Sequence, residues 1–141
     1  MKVLLDTCVI SELHRDGGDA TVREALLRHQ PNEVFLSVVT MGEITKGLVR
    51  LPVGPKRQRL AEWLRRLDQK FQGRILPVDR ETATVWGELL ARGESVGRVV
   101  PVADGLIAAT AIQYGLRVYT RNVADFEGIG AMVVNPWGAG V

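Results

Sequence analysis

The sequence predicts an α/β fold in which a central parallel sheet is covered by helices on both faces. Two observations carry this reading. Short apolar runs alternate with helical patterns along the chain, as parallel strands joined by helical crossovers require. One late helical segment, VADGLIAATAIQY, is apolar on nearly every side and must therefore be buried. The length of 141 residues suits one domain, residues 1–141, and no internal repeat, low-complexity linker or domain boundary divides it.

The elements follow in order. Val3-Leu4-Leu5 reads as a buried strand stopped by Asp6, and residues near 9–15 as a short helix before the turn Asp16-Gly17-Gly18. Thr21-x-x-Glu24 has capping-box spacing for the next helix, with Val22, Ala25 and Leu26 on one face and Pro31-Asn32 ending it. Val34-Phe35-Leu36 is a second strand. Residues 38–50 are helical, and Pro52-Val53-Gly54-Pro55 breaks the chain. In 56–71, Leu60, Trp63, Leu64, Leu67 and Phe71 form a helical stripe between basic residues, and Gly73 stops it. Ile75-Leu76-Pro77-Val78 suits an edge strand because of its Pro. Asp79 caps a helix running to about Arg92, with Val85, Trp86, Leu89 and Leu90 inward and Gly93 at its end. Pro101 opens the buried helix and Gly115 closes it. Val118-Tyr119-Thr120 and Met132-Val133-Val134 are the last strands.

Composition excludes several classes. Hydrophobic residues are 46% and charged residues 24%, as in an ordinary globular protein rather than a disordered one. No apolar run approaches the roughly 20 residues that span a bilayer. The N-terminal MKVLLDTCVISEL is a poor signal peptide because Asp6 interrupts it. The single Cys8 excludes an intramolecular disulfide and fits a reducing cytosol. Net charge is only +2, yet residues 46–74 hold nine Lys or Arg against Glu62 and Asp68. That local bias suits a polyanion, although a solvated helix face explains it equally.

In an open parallel sheet, ligands collect beyond the carboxyl ends of the strands. Asp6 ends the first strand. Glu43 lies early in the helix after the second. Asp104 opens the buried helix, and Asp125 follows the Tyr119-Thr120 strand by a short turn. Each has a plain explanation: Asp6 as a helix cap, Glu43 in a capping box with Thr40, Asp104 at a positive helix end, Asp125 as a turn former. Together they point further. Asp104 has almost wholly apolar neighbours, and a buried carboxylate needs a partner or a metal. Clustered carboxylates repel unless a cation neutralises them. His14 and His29 lie in polar stretches, expected to face solvent, so no Cys/His cluster competes. An all-oxygen site suits Mg²⁺ or Mn²⁺ rather than structural Zn²⁺. An acidic metal pocket in a net-basic chain suits a phosphodiester substrate.

LLDTCVISEL, LSVVTMGEITKGL, ADGLIAATA and YTRNVADF resemble the four blocks of PIN-domain proteins, and especially the VapC/FitB-type toxins of bacterial toxin–antitoxin pairs. GRILPVD and the terminal VNPW are similar to segments of the FitB-like subgroup. The resemblance covers essentially the whole chain, in matching order and spacing. It implies a PIN-like three-layer α/β/α sandwich with a central parallel sheet. It implies a Mg²⁺- or Mn²⁺-dependent endoribonuclease, acting as a toxin and blocked by a cognate VapB/FitA-like antitoxin. It further implies a cytoplasmic homodimer, DNA contact through the antitoxin alone, and no membrane association. By position, Asp6, Glu43 and Asp104 match the family's first three acids and Asp125 an acid of the last block. Asn122 stands nearby, where relatives can carry Asp, so either Asn122 or Asp125 completes the site. Thr7 and Thr120 match small polar positions that orient water or a carboxylate. Glu12 is either an outer support of the acids or a decoration of the first helix. Cys8 departs from the Asn or Ser of many relatives and reads as a small packing residue.

Rival readings are weaker. A receiver domain needs a Lys after a late strand, but the lysines stand at 2, 46, 56 and 70. A haloacid-dehalogenase-like phosphatase needs Asp two residues after Asp6, where Cys8 stands. The stronger alternative is a non-catalytic PIN-fold binding module within a regulatory toxin–antitoxin–DNA complex. Trp63, Leu67, Phe71 and Trp137 suit core, antitoxin contact or self-association alike.

Overall fold

The computed structural model describes residues 1–138. Strands β1 (Val3–Leu5), β2 (Val34–Ser37), β3 (Ile75–Leu76), β4 (Arg117–Tyr119) and β5 (Val133–Val134) form one sheet in the order β3-β2-β1-β4-β5. Every neighbouring pair is parallel. β1 is central: Val3 pairs with Val34 on one side and with Arg117 on the other. Its three residues are fully buried, so a continuous apolar run is what the position demands.

Alternation along the strands divides the core in two. Val3, Leu5, Leu36 and Tyr119 face helices α1 (Thr7–His14), α2 (Ala20–Leu27) and α4 (Pro55–Lys70), where Val9, Ile10, Val22, Leu67, Phe71 and Trp137 complete one cluster. Leu4 and Val118 face the opposite way, toward α5 (Arg80–Ser95) and α6 (Val102–Tyr114), with Leu89, Ile107, Ala108 and Phe126. Helix α3 (Val38–Arg50) follows β2 directly, and the short α7 (Val123–Phe126) lies between β4 and β5. The result is the three-layer α/β/α sandwich. Leu67, Phe71 and Trp137 are therefore core, while Trp63 is only partly buried and stacks on His14 with ring centroids 4.1 Å apart.

The apolar character of α6 is explained by its position between the sheet and α5. Gly105 lets the two helices approach: a Cβ there would stand 2.9 Å from Trp86 Nε1. Gly115, in the left-handed conformation at φ 68°, ends α6 as expected.

Several expected boundaries are corrected. Asp19, not Thr21, caps α2, its carboxylate accepting from Thr21 N at 2.7 Å. That helix ends at Leu27, and Pro31–Glu33 forms a separate 3₁₀ turn. α5 does not stop at Gly93 but continues to Ser95. Gly93 lies inside it because Arg98 O and Val100 Cγ2 stand 3.2 Å from where a Cβ would be. α1 begins two residues earlier than its apolar pattern indicates, because Asp6 caps it at Thr7. α7 has no periodic signal, being a single turn.

Candidate metal centre

The site begins at the end of β1. Asp6 is only 5% exposed, and its backbone N–H donates to Tyr119 O at 2.9 Å, which ties the ends of β1 and β4 together. Its Oδ1 accepts from Thr7 N at 2.8 Å, which makes it the cap of α1. Its Oδ2 accepts from Thr120 Oγ1 at 2.8 Å and lies 3.6 Å from Cys8 Sγ. Thr120 is itself fully buried and accepts from Asn122 N at 3.0 Å. Each carboxylate oxygen of Asp6 thus has a protein donor, Oδ2 also receives the weak thiol donor of Cys8, and Oδ1 keeps a further lone pair.

Glu43 reaches the same place from α3. Its Oε1 accepts from Thr7 Oγ1 at 2.6 Å, and Thr7 Oγ1 stands 3.3 Å from Thr40 Oγ1. The expected Thr40–Glu43 capping box is absent. Ser37 caps α3, accepting from Val39 N at 3.0 Å, and Thr40 is buried within the helix. Glu43 is therefore held by Thr7 rather than occupied at its own helix end.

Asp104 stands in the first turn of α6. Its carboxyl is pushed up to about 6, first by burial and then by the negative charges of Asp6, Asp125 and Glu43. Asp6, Asp125 and Glu43 are thus close enough for their charges to be felt at Asp104. Asp125 is exposed on α7, and Asn122 precedes that helix as its cap residue, with its backbone carbonyl accepting from Asp125 N at 3.0 Å. Among the described residues, no group of three or more His, Cys, Asp or Glu side chains has, as it stands, the geometry to hold an ion. Asp6 and Glu43 are turned toward threonine donors, and the set is one of mutually repelling carboxylates. The donors are all hard oxygens, and the repulsion that Asp6, Asp125 and Glu43 add to the burial of Asp104 is of the kind a divalent cation relieves.

The PIN domain family profile matches residues 3–130. The chain belongs to the PIN-domain family. VapC ribonuclease Y4jK of Sinorhizobium fredii is 35% identical to it over 136 residues, 96% of this chain and 97% of that protein. Toxin FitB of Neisseria gonorrhoeae is 37% identical over 139 residues, 96% of this chain and 98% of that protein. The crystal structure of FitAcB from Neisseria gonorrhoeae matches with a TM-score of 0.90 at 37% identity, covering 96% of this chain and 98% of that one. The resemblance to VapC/FitB-type toxins is thus borne out.

Other candidate residues of this PIN domain fall elsewhere. Glu12, 8% exposed, accepts from Asp19 N at 3.2 Å and from Arg15 Nη1 at 3.3 Å. It fastens the 16–19 turn and does not support the acids. His29 is not free in solvent: Nε2 lies 2.7 Å from Tyr119 Oη and Nδ1 lies 3.2 Å from Met1 O. The Cys8 thiol is pushed up, chiefly by burial, and stands 3.6 Å from both Asp6 Oδ2 and Thr120 Oγ1. Three contacts, made by two arginines, have no sequence signal. Arg98 Nη1 donates to Ala124 O at 2.5 Å and also to Glu127 O, and Arg92 Nη1 donates to Ile129 O at 3.0 Å. No helix among the described residues is long and apolar enough to cross a membrane.

On the α1/α2/α4 face the PIN domain carries an open apolar groove of about 500 Å³. Leu13, Leu26, Leu27 and Trp63 line it, and Arg66, Lys70 and Arg74 rim it. Leu27 is 83% exposed there.

Proposed function

We propose that this PIN domain is a metal-dependent endoribonuclease, the toxin of a toxin–antitoxin pair. Asp6, Glu43, Asp104 and Asp125 would hold Mg²⁺ or Mn²⁺. The observation that carries the reading is the gathering of Asp6 and Glu43 at the sheet's carboxyl edge by Thr120 and Thr7, with Asp104 opening α6 within reach of their charge. Four carboxylates at the carboxyl edge of a parallel sheet have no structural need for one another, and their repulsion costs stability. The names of the relatives, ribonuclease and toxin, point the same way.

When bound, the ion neutralises charge on the scissile phosphate and acidifies a water molecule. The chain's own residues do the rest. Thr120 and Thr7 N–H orient the two oxygens of Asp6, and Thr7 Oγ1 orients Glu43. Asp104, in the opening turn of α6, would serve as a ligand, and an ion there would offset the repulsion it meets from Asp6, Asp125 and Glu43. The basic residues of α4, Lys56, Arg57, Arg59, Arg65, Arg66 and Lys70, supply a surface for the RNA backbone. The cognate antitoxin is the protein partner. The apolar groove with its Arg66, Lys70 and Arg74 rim suits an amphipathic segment carrying acidic residues.

The test compares purified, antitoxin-free wild type with Asp104→Asn on a mixed RNA pool, in Mg²⁺, Mn²⁺ and EDTA, with single-stranded DNA as control. Cleavage of RNA by wild type alone, and only with metal, supports the proposal. Equal cleavage by Asp104→Asn, or cleavage in EDTA, overturns it.

A further inference from the structure

Asp125 stands on the least self-supporting element of the site. α7 has four residues. Its backbone bonds to the flanking residues are Asp125 N to Asn122 O at 3.0 Å and Glu127 N to Val123 O at 3.2 Å. A single turn of this kind is not stable alone, because nucleating a helix costs more than one hydrogen bond returns. Something outside it must hold its carbonyls.

Arg98 does so. It lies in the loop between α5 and α6, and its backbone N–H donates to Gly93 O at 2.8 Å, anchoring that loop on α5. From there one nitrogen, Nη1, donates to Ala124 O at 2.5 Å and to Glu127 O. These two carbonyls bracket Asp125 on either side. The same loop leads directly into the first turn of α6, which carries Asp104. Arg98 forms no ion pair among the described residues, and its charge is not among the causes of the Asp104 shift. Its hold on the turn that carries Asp125 is the pair of hydrogen bonds to Ala124 O and Glu127 O.

We infer that Arg98 is a positioning residue that bridges the Asp125 turn to the loop entering α6 and so sets how Asp125 and Asp104 face a shared cation. The inference rests on the metal-site reading above. Arg92 is the natural comparator. It makes the same kind of bond to Ile129 O, but that carbonyl belongs to a fully buried residue four positions beyond Asp125. Both arginines tie a backbone carbonyl after β4, and only Arg98 brackets the acid.

The experiment measures Mn²⁺ binding, with the metal alone, by electron paramagnetic resonance. It uses the full chain as wild type, Arg98→Ala, Arg98→Lys, Arg92→Ala and Asp104→Asn, with thermal unfolding in EDTA alongside. Removing an outer support of a metal ligand should weaken Arg98→Ala about tenfold, while Arg92→Ala stays within about twofold at a comparable loss of Tm. Arg98→Lys, which keeps a cationic donor on a shorter side chain, falls between. Should Arg98→Ala not fold, Arg98→Lys against Arg92→Lys decides. Wild-type affinity in the Arg98 variants, or equal weakening by the Arg92 variants, overturns the positioning role while the metal site stands. A wild type that binds no Mn²⁺, or an Asp104→Asn that binds equally well, overturns the metal-site reading and this inference with it.

Discussion

Thr120 donates its hydroxyl to Asp6 Oδ2 across 2.8 Å, joining the end of β4 to the end of β1 at a buried position. It is the strongest side-chain donor on that oxygen, since the thiol of Cys8 is a weak donor at 3.6 Å. Thr120→Val keeps the shape and removes the bond. A buried carboxylate oxygen left with a weak partner should cost about 1–3 kcal/mol of stability. Loss of an outer support should lower cleavage roughly 10–100-fold. Thr120→Ser, which keeps the hydroxyl, should restore most of both. Single-turnover RNA cleavage and Tm on the three proteins check this. A fully active Thr120→Val would remove Thr120 from the site.

The Asp104 shift has a sign that can be measured. Its carboxyl titrates at about 6 in the fold against 3.8 ordinarily, so the folded state holds the proton more tightly. Between pH about 4 and 6 the folded state binds more protons than the unfolded one, and stability falls as pH rises. The penalty is complete above pH about 6 and absent in acid. Since Asp104 is partly exposed, solvent screening limits it to about 1 kcal/mol. Asp104→Asn should therefore raise the Tm of the metal-free protein at pH 7.5, with the gain disappearing toward pH 4, while abolishing cleavage. A variant less stable than wild type at pH 7.5 would show that the acids do not repel one another there.

The acids were legible in the sequence because the sheet is parallel. Val3-Leu4-Leu5 and Tyr119-Thr120 mark strand ends, and Asp6 and Asp125 follow them. Glu43 and Asp104 open or enter helices whose patterns are unambiguous. What stayed hidden is lateral. The Thr120–Asp6 and Thr7–Glu43 bonds span 114 and 36 positions, and no local periodicity encodes them. Thr40 misleads for a related reason. Its spacing to Glu43 matches a capping box, but Ser37 already occupies the cap because β2 runs into α3 without a loop. Glu12 was ambiguous on the helix pattern alone, since its partners Arg15 and Asp19 lie in a turn whose path the sequence does not reveal.

Glu12 provides a control that separates the turn from the acids. Glu12→Gln keeps an acceptor for Asp19 N but loses the charge facing Arg15. Glu12→Ala loses both bonds, and since Asp19 is exposed and water can replace the acceptor, the cost is that of ordinary hydrogen bonds, about 1 kcal/mol. Both variants should cleave RNA at close to the wild-type rate below their Tm. A large loss of activity in well-folded Glu12→Gln would place Glu12 among the supports of the acids after all.

Gly105 tests the packing that presents Asp104. Alanine is the better helix former by roughly 1 kcal/mol, so propensity alone predicts that Gly105→Ala stabilises the protein. The structure predicts the reverse. The new Cβ would stand 2.9 Å from Trp86 Nε1 and 3.3 Å from Val100 Cγ1, and α5 would have to move away from α6. Overpacking of this kind costs about 1–3 kcal/mol, more than the propensity gain. Trp86 Nε1 has no hydrogen-bond partner among the described residues, so replacing that ring loses no bond. Trp86→Phe should therefore relieve the clash when combined with Gly105→Ala, and the double variant should be more stable than the sum of the single changes. A double-mutant cycle on urea unfolding measures this coupling. Additive effects would mean that the two helices do not meet at this pair, and that the first turn of α6 is held by other contacts.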